Sequence, residues 1–254
     1  MKDKKIETMK AAGLILGEVL EGITKFIKPG VSELEIDSFA EELIRKRGAE
    51  PGFKRVPGYH HTICVSTNDV VVHGIPTANV LKEGDVVGVD CGVYLNGYHT
   101  DMAETLCVSA PRSKDGIDKF LGTGKRALVA GIRQAKMGNR VGHISKAIQD
   151  IIEGSGYSVV RSLVGHGVGK NLHEKPEIPG YLAQKIEKTP LLETGMTIAV
   201  EVIYNMGDKE VVYDESDEWT IRSGDGKLSG LYERTILITQ NGPEFLTRLS
   251  HDKL

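Results

Sequence analysis

The chain has 254 residues, enough for one large α/β domain or two small ones and for a sizeable buried core. With 32 basic against 35 acidic residues its net charge is −3, which gives no support to a nucleic-acid-binding or membrane-surface role. No run approaches the roughly 18 apolar residues of a membrane span, and the basic opening Met1-Lys-Asp-Lys-Lys5 lacks a following secretory stretch, so a soluble cytoplasmic protein is expected.

From about Lys4 to Ile27 apolar residues recur at helical spacing (Ile6, Met9, Leu14, Ile15, Val19, Ile23, Phe26), and Lys28-Pro29-Gly30 stops the run. A second helix follows, opened by the capping-box pair Ser32 and Glu35. Its buried stripe is expected to be Leu34, Ile36, Phe39, Leu43 and Ile44, and Gly48 ends it. After a loop rich in Gly and Pro (Pro51 to Tyr59), Thr62–Ser66 and Val70–Val72 read as strands leading to His73-Gly74-Ile75-Pro76. Cys64, Cys91 and Cys107 lack zinc spacing and cannot all pair, which points to reduced thiols.

Two apolar β runs then meet at Asn96-Gly97, a strong short-range hairpin signal. With those two residues as the loop, Leu95 faces Tyr98 and Gly92 faces Asp101. Asp90 and Asp101 become diagonal neighbours on one face, roughly 7–8 Å apart at the backbone. Two carboxylates aimed at one point from apolar strands need a cation or a proton to offset their charge if buried. The hairpin alone is equally consistent with both facing water.

The pattern then starts again. Asp118 to Ala135 reads as helix, Lys136-Met137-Gly138 lines up with Lys28-Pro29-Gly30, and a helix from Val141 to Ile152 ends at Gly156. Gly48 and Gly156 are separated by the same 108 positions as Gly30 and Gly138. Further on, Leu192–Glu201 resembles Leu81–Asp90 at an offset of 111, matching Gly84 with Gly195 and Asp90 with Glu201. This suggests an α+β fold of duplicated helix-helix-sheet halves, about 1–110 and 111–254, forming a single domain over 1–254. The halves would pack about a pseudo-twofold axis because each apolar sheet face needs a partner. The second half adds His166 between glycines in Val164-Gly-His-Gly-Val-Gly169. It also adds a strand at Glu218–Ile221 and a β run from Gly230 to Thr239 carrying Glu233 among apolar neighbours.

Singly these residues have ordinary explanations. Together, Asp90, Asp101, His166, Glu201 and Glu233 supply four carboxylates and one imidazole from both halves, a set suited to a pair of borderline or hard divalent ions. In these segments, together with Asn68–Pro76, Gly165–Gly169 followed by His173-Glu-Lys-Pro176, and Tyr232-Glu233 with Thr235, the sequence closely resembles type I methionine aminopeptidases of the bacterial kind. Those enzymes have the duplicated pita-bread fold of the creatinase/aminopeptidase class, and the resemblance covers nearly the whole chain.

The resemblance implies that Asp90 holds one ion, His166 and Glu201 the other, and Asp101 and Glu233 bridge them. Metal-activated water would attack the first peptide carbonyl to release an initiator methionine, with Glu201 handling the proton. His173 would contact the scissile carbonyl, and His73 the substrate's backbone nitrogen. Tyr59, Cys64 and Trp219 match the methionine pocket. The metal is left open among cobalt, manganese, iron and zinc.

The chain departs from the family at Leu172, where an aromatic is usual, at Arg55-Val56 for Gly-Tyr, at Val202 for Pro and at Arg234 for His. These touch selectivity and rate more than reaction type. A prolidase or Xaa-Pro aminopeptidase of the same fold is the alternative, with a non-catalytic binding relative behind it. The His73-Gly-Ile-Pro76 segment and the complete ligand set argue against these in turn. Peptide and nascent-protein N-termini are the implied substrates, and a monomer is expected. Association with the ribosome is compatible with such an enzyme, though no segment supports it.

Overall fold

The computed structural model describes residues 2–109 and 116–253, so the expected boundary between the halves, near 110, lies outside the described residues. Helix α1 (Lys2–Phe26) buries Met9, Leu16, Val19, Leu20 and Ile23. Leu14 is instead 66% exposed. The face that meets the chain there belongs to Gly13 and Gly17, where a Cβ would collide with the carbonyls of Leu246 and Arg248.

Helix α2 (Glu33–Lys46) begins with the expected box: Ser32 Oγ accepts from Glu35 N at 3.3 Å and Glu35 Oε2 accepts from Ser32 N at 2.8 Å. Its buried stripe differs from the expected one, since Leu34 is 41% exposed while Glu33 and Asp37 turn inward. Polar groups of a distant loop explain the exchange. Glu33 accepts from Thr67 Oγ1 at 2.8 Å, Thr77 N at 3.1 Å, Thr77 Oγ1 at 2.8 Å and Asn79 Nδ2 at 3.0 Å. Asp37 accepts from Thr62 N at 2.7 Å and Ile63 N at 3.1 Å. Buried carboxylates that accept several hydrogen bonds are tolerated, and these two anchor the segment that carries Cys64 and His73.

The chain continues through β1 (Glu50–Pro51), β2 (Ile63–Thr67), β3 (Val70–Val72), β4 (Val86–Leu95) and β5 (Tyr98–Cys107). The second half holds α3 (Ile117–Gln134), α4 (Val141–Gly154), β6 (Ser158–Val159), β7 (Gly165–Gly167), β8 (Glu174–Ile178), β9 (Thr197–Asn205), β10 (Val211–Tyr213), β11 (Ile221–Ser223), β12 (Ser229–Thr239) and β13 (Gly242–Phe245). The expected strand over Glu218–Ile221 reduces to Ile221. Asp217 accepts from Trp219 N at 2.8 Å and Thr220 N at 2.7 Å, and Glu218 has φ 61°, so the local turn wins over the ladder.

One ten-stranded sheet runs in the order β1-β4-β5-β12-β9-β7-β8, with β2 on β4, β6 on β9 and β13 on β12. A smaller sheet joins β10, β11 and β3. The hairpin pairs Leu95 with Tyr98 and Gly92 with Asp101, the register expected from the Asn96-Gly97 loop, whose φ values are 46° and 95°. Strands β9 and β12 repeat the arrangement, pairing Glu201 with Glu233 as β4 and β5 pair Asp90 with Ala103.

The repeated glycines adopt matching left-handed conformations: Gly30 and Gly138 at φ 91° and 85°, Gly48 and Gly156 at 74° and 86°, Gly84 and Gly195 at 87° and 92°. The halves do not pack sheet face on sheet face, as the sequence suggested. Each covers its own sheet with its own helices, α1 and α2 against β4, α3 and α4 against β9. They join edge to edge, where Glu233 pairs with Ala103 and Arg234 with Met102. Helices already bury the apolar side of each sheet, so the opposite side is left for polar chemistry.

Candidate metal centre

A strand alternates its side chains between two faces. In β4, Val87, Val89, Cys91 and Val93 face the helices, which leaves Asp90 on the other side. The register then sets Asp90, Ala103, Glu233 and Glu201 in one lateral row across β4, β5, β12 and β9. Asp101 lies two residues from Ala103 on the same face, and His166 enters opposite Ala199, two residues before Glu201. The glycines beside His166 permit that approach: a Cβ on Gly165 would come 2.5 Å from Ala199 O, and one on Gly167 would collide with Lys175 O.

All ten residues singled out in the sequence line one cavity of about 310 Å³. Donor atoms of Asp101, His166 and Glu233 lie within 4.8 Å of one another. His166 Nε2 is 3.8 Å from Asp101 Oδ2 and 3.9 Å from Glu233 Oε1. Those separations are too long for hydrogen bonds and leave room for something between the donors. His166 Nδ1 lies 2.9 Å from the carbonyl of Gly167, so Nδ1 carries the hydrogen and the Nε2 lone pair points at the carboxylates. Asp90 and Glu201 line the same cavity outside that closest group.

Asp90 Oδ1 and Glu233 Oε1 are buried without a hydrogen-bond partner. Burial raises the Asp90 carboxyl to about 7, and burial followed by the charge of Asp90 raises Glu201 to about 8. Burial and then neighbouring carboxylates hold Asp101 and Glu233 well above the ordinary range. Crowded, dry and partly orphaned carboxylates of this kind fit a divalent cation. Their donor types suit it too, oxygens and one neutral imidazole.

Two imidazoles and a largely aromatic apolar cluster complete the cavity. His73, directly after β3, takes a left-handed φ of 55°, and its imidazole is lowered to about 4 by burial and then by His173. His173 packs edge-on to His166 with ring centroids 4.5 Å apart, and burial lowers it as well. Tyr59, Cys64, Leu172 and Phe53 form an apolar cluster against which Trp219 leans, its ring 5.1 Å from that of Tyr59. Tyr59 Oη donates to Ile63 O at 2.7 Å and lies 3.1 Å from Cys64 Sγ. The sequence reading missed Phe53, Ile203 and the Ser162–Val164 segment, which also line the cavity. Val164 opens the glycine-rich motif around His166 without being a candidate itself, and no spacing or motif marks the others.

The profile of metallopeptidase family M24 matches residues 7–240. Over 245 residues, 96% of each chain, the protein is 42% identical to a methionine aminopeptidase of Clostridium perfringens. A crystal structure of a methionine aminopeptidase from Thermotoga maritima superposes with a TM-score of 0.92 at 38% identity, covering 96% of this chain and 97% of that one. A Xaa-Pro dipeptidase from Bacillus anthracis superposes at 0.77 with 27% identity, covering 99% of this chain but 62% of that one.

Proposed function

The chain belongs to metallopeptidase family M24, and from that premise we propose that it is a methionine aminopeptidase, removing the first methionine from peptides and nascent proteins. The observation that carries the reading is the single cavity in which the carboxylate and imidazole donors adjoin an apolar wall. Asp90, Asp101, His166, Glu201 and Glu233 would hold the metal. Four carboxylates carry a charge of −4 when ionised, which two divalent ions would neutralise and one would not. Cobalt, manganese, iron and zinc all suit the donors.

A bound divalent ion supplies Lewis acidity and lowers the pKa of water. Glu201, on the cavity wall, would take the proton as water attacks the first peptide carbonyl and return it to the departing amine. His173 and His73 are neutral at pH 7, so each offers one N–H donor. His173 meets the scissile carbonyl and His73 the peptide nitrogen. Tyr59, Cys64 and Trp219, with Phe53 and Leu172, receive the unbranched methionine side chain and exclude water. Leu172 gives an aliphatic surface on one side of that pocket.

Residues 1–254 act as one catalytic domain, and a monomer suffices because every named site residue comes from this chain. Among the described residues no helix is long and apolar enough to cross a membrane. Work in the cytoplasm, on chains leaving the ribosome, follows from the substrate proposed. The test supplies cobalt or manganese and compares Met-Ala-Ser with Ala-Pro-type peptides. Release of methionine from the first supports the reading, and cleavage confined to bonds before proline would replace it with a prolidase-type activity.

A further inference from the structure

Behind the row of carboxylates, on the helix-covered face of β12, Arg234 is 1% exposed. A guanidinium has five N–H donors, and a buried one is tolerated when all of them are met. Here they are. Nε donates to Asp252 Oδ2 at 2.7 Å, and Nη1 donates to the carbonyls of Ala103 and Glu233, both at 2.8 Å. Nη2 donates to Glu104 Oε2 at 2.7 Å and to Asp252 Oδ1 at 3.2 Å.

Two of these acceptors belong to Ala103 and Glu233, the residues that face each other where the halves join. The guanidinium therefore clamps β5 to β12 directly behind the strands that carry Asp101 and Glu233. Glu104 lies on β5 itself and is also met by Lys125 Nζ of α3 at 2.7 Å. Asp252 is different, because it belongs to no strand. It sits in a turn whose Leu249 N donates to Asp252 Oδ2 at 2.8 Å while Asp252 N donates to Leu249 O at 3.1 Å. Its two oxygens take the Nε and Nη2 side of the guanidinium. That fork orients the plane so that Nη1 reaches the two carbonyls. Without Asp252 the cation stays paired with Glu104, but Nε and one Nη2 hydrogen lose their acceptors and the plane is held from the Nη side alone.

We infer that Asp252 is a positioning residue for the metal centre, acting through Arg234 to fix the separation of Asp101 and Glu233. The inference rests on the proposal that those two carboxylates are ligands. Manganese affinity of metal-free protein, read by calorimetry well below the unfolding temperature, tests it alongside circular dichroism and the melting temperature. Asp252→Ala should weaken manganese binding about tenfold, the scale on which residues supporting metal ligands act, and Asp252→Asn less, because it keeps one acceptor for Nε. A melting temperature lowered with wild-type manganese affinity would make the clasp merely structural and overturn the inference. Should the alanine variant not fold, Asp252→Asn carries the same comparison: weakened binding supports the inference and wild-type binding overturns it. Glu233→Gln separates the two layers. If it binds manganese as well as wild type, the ligand assignment falls and the inference with it; if it binds weakly while Asp252→Ala does not, only the inference falls.

Discussion

The two halves share a scaffold and differ in what they hang on it. The hydroxyl of Thr105 donates to Leu231 O at 2.6 Å and accepts from Leu231 N at 2.9 Å. At the corresponding place in the other half, Thr235 Oγ1 donates to Asp101 O at 2.8 Å and accepts from Asp101 N at 2.9 Å. The backbone therefore obeys the pseudo-twofold. Registers equate Asp101 with Leu231, Ala103 with Glu233 and Glu104 with Arg234. Only Asp90 and Glu201 are carboxylates in both halves. Duplication supplied symmetric positions, and chemistry at the centre needed unlike residues in them: Ala103 leaves the space opposite Glu233 open, and Glu104 neutralises the Arg234 that mirrors it.

Mutating equivalent positions sharpens this contrast. Asp101→Ala is expected to abolish methionine release with the fold retained, whereas Leu231→Ala should lose about 2–5 kcal/mol of stability and keep its metal. Peptide turnover and chemical denaturation read the two. Activity surviving in Asp101→Ala would contradict the proposed ligand set. Thr105→Val and Thr235→Val should each cost about 1–3 kcal/mol, since each strands a buried backbone pair. Only the second, which holds Asp101, should also weaken metal binding.

Stability against pH examines the shared row. Asp90 and Glu201 have ordinary values of 3.8 and 4.5 but stand at about 7 and about 8 in the folded protein. Folded metal-free protein thus keeps protons that the unfolded chain releases near pH 4. Its stability should fall as pH rises from about 4 through about 8. Melting curves in chelator and in manganese should diverge as pH rises, because a cation takes the place of those protons. Curves that stay parallel would argue against a cation site in this row. The smallest effect concerns a helix start. Ser32→Ala removes a side-chain cap and should cost about 1 kcal/mol by denaturation. The equivalent position, Arg140, has no such hydroxyl; its backbone N–H is met by His143 Nδ1 at 3.0 Å, so Arg140→Ala should change stability less.

The site was more legible in the chain than the packing around it. Hairpin register followed from Asn96-Gly97, and that alone aligned Asp90 with Asp101 on one face. The repeated glycines were visible because a left-handed backbone strongly favours glycine, whatever packs nearby. By contrast, Leu34 lies outside and Glu33 inside, Trp219 sits in a turn, and Arg234 is buried. The outcomes at Glu33, Leu34 and Arg234 depend on partners far along the chain, whereas the turn at Trp219 is made locally by Asp217.

Short-range geometry, then, was written locally: turn type, strand alternation and helix capping act between residues a few positions apart, and the sequence by itself determined them. Which face of α2 turned inward, how the halves met edge to edge, and what neutralised Arg234 were decided only in three dimensions. A buried polar group is stable only once its partners have arrived, and here they come from residues 62–79, 103–104 and 252.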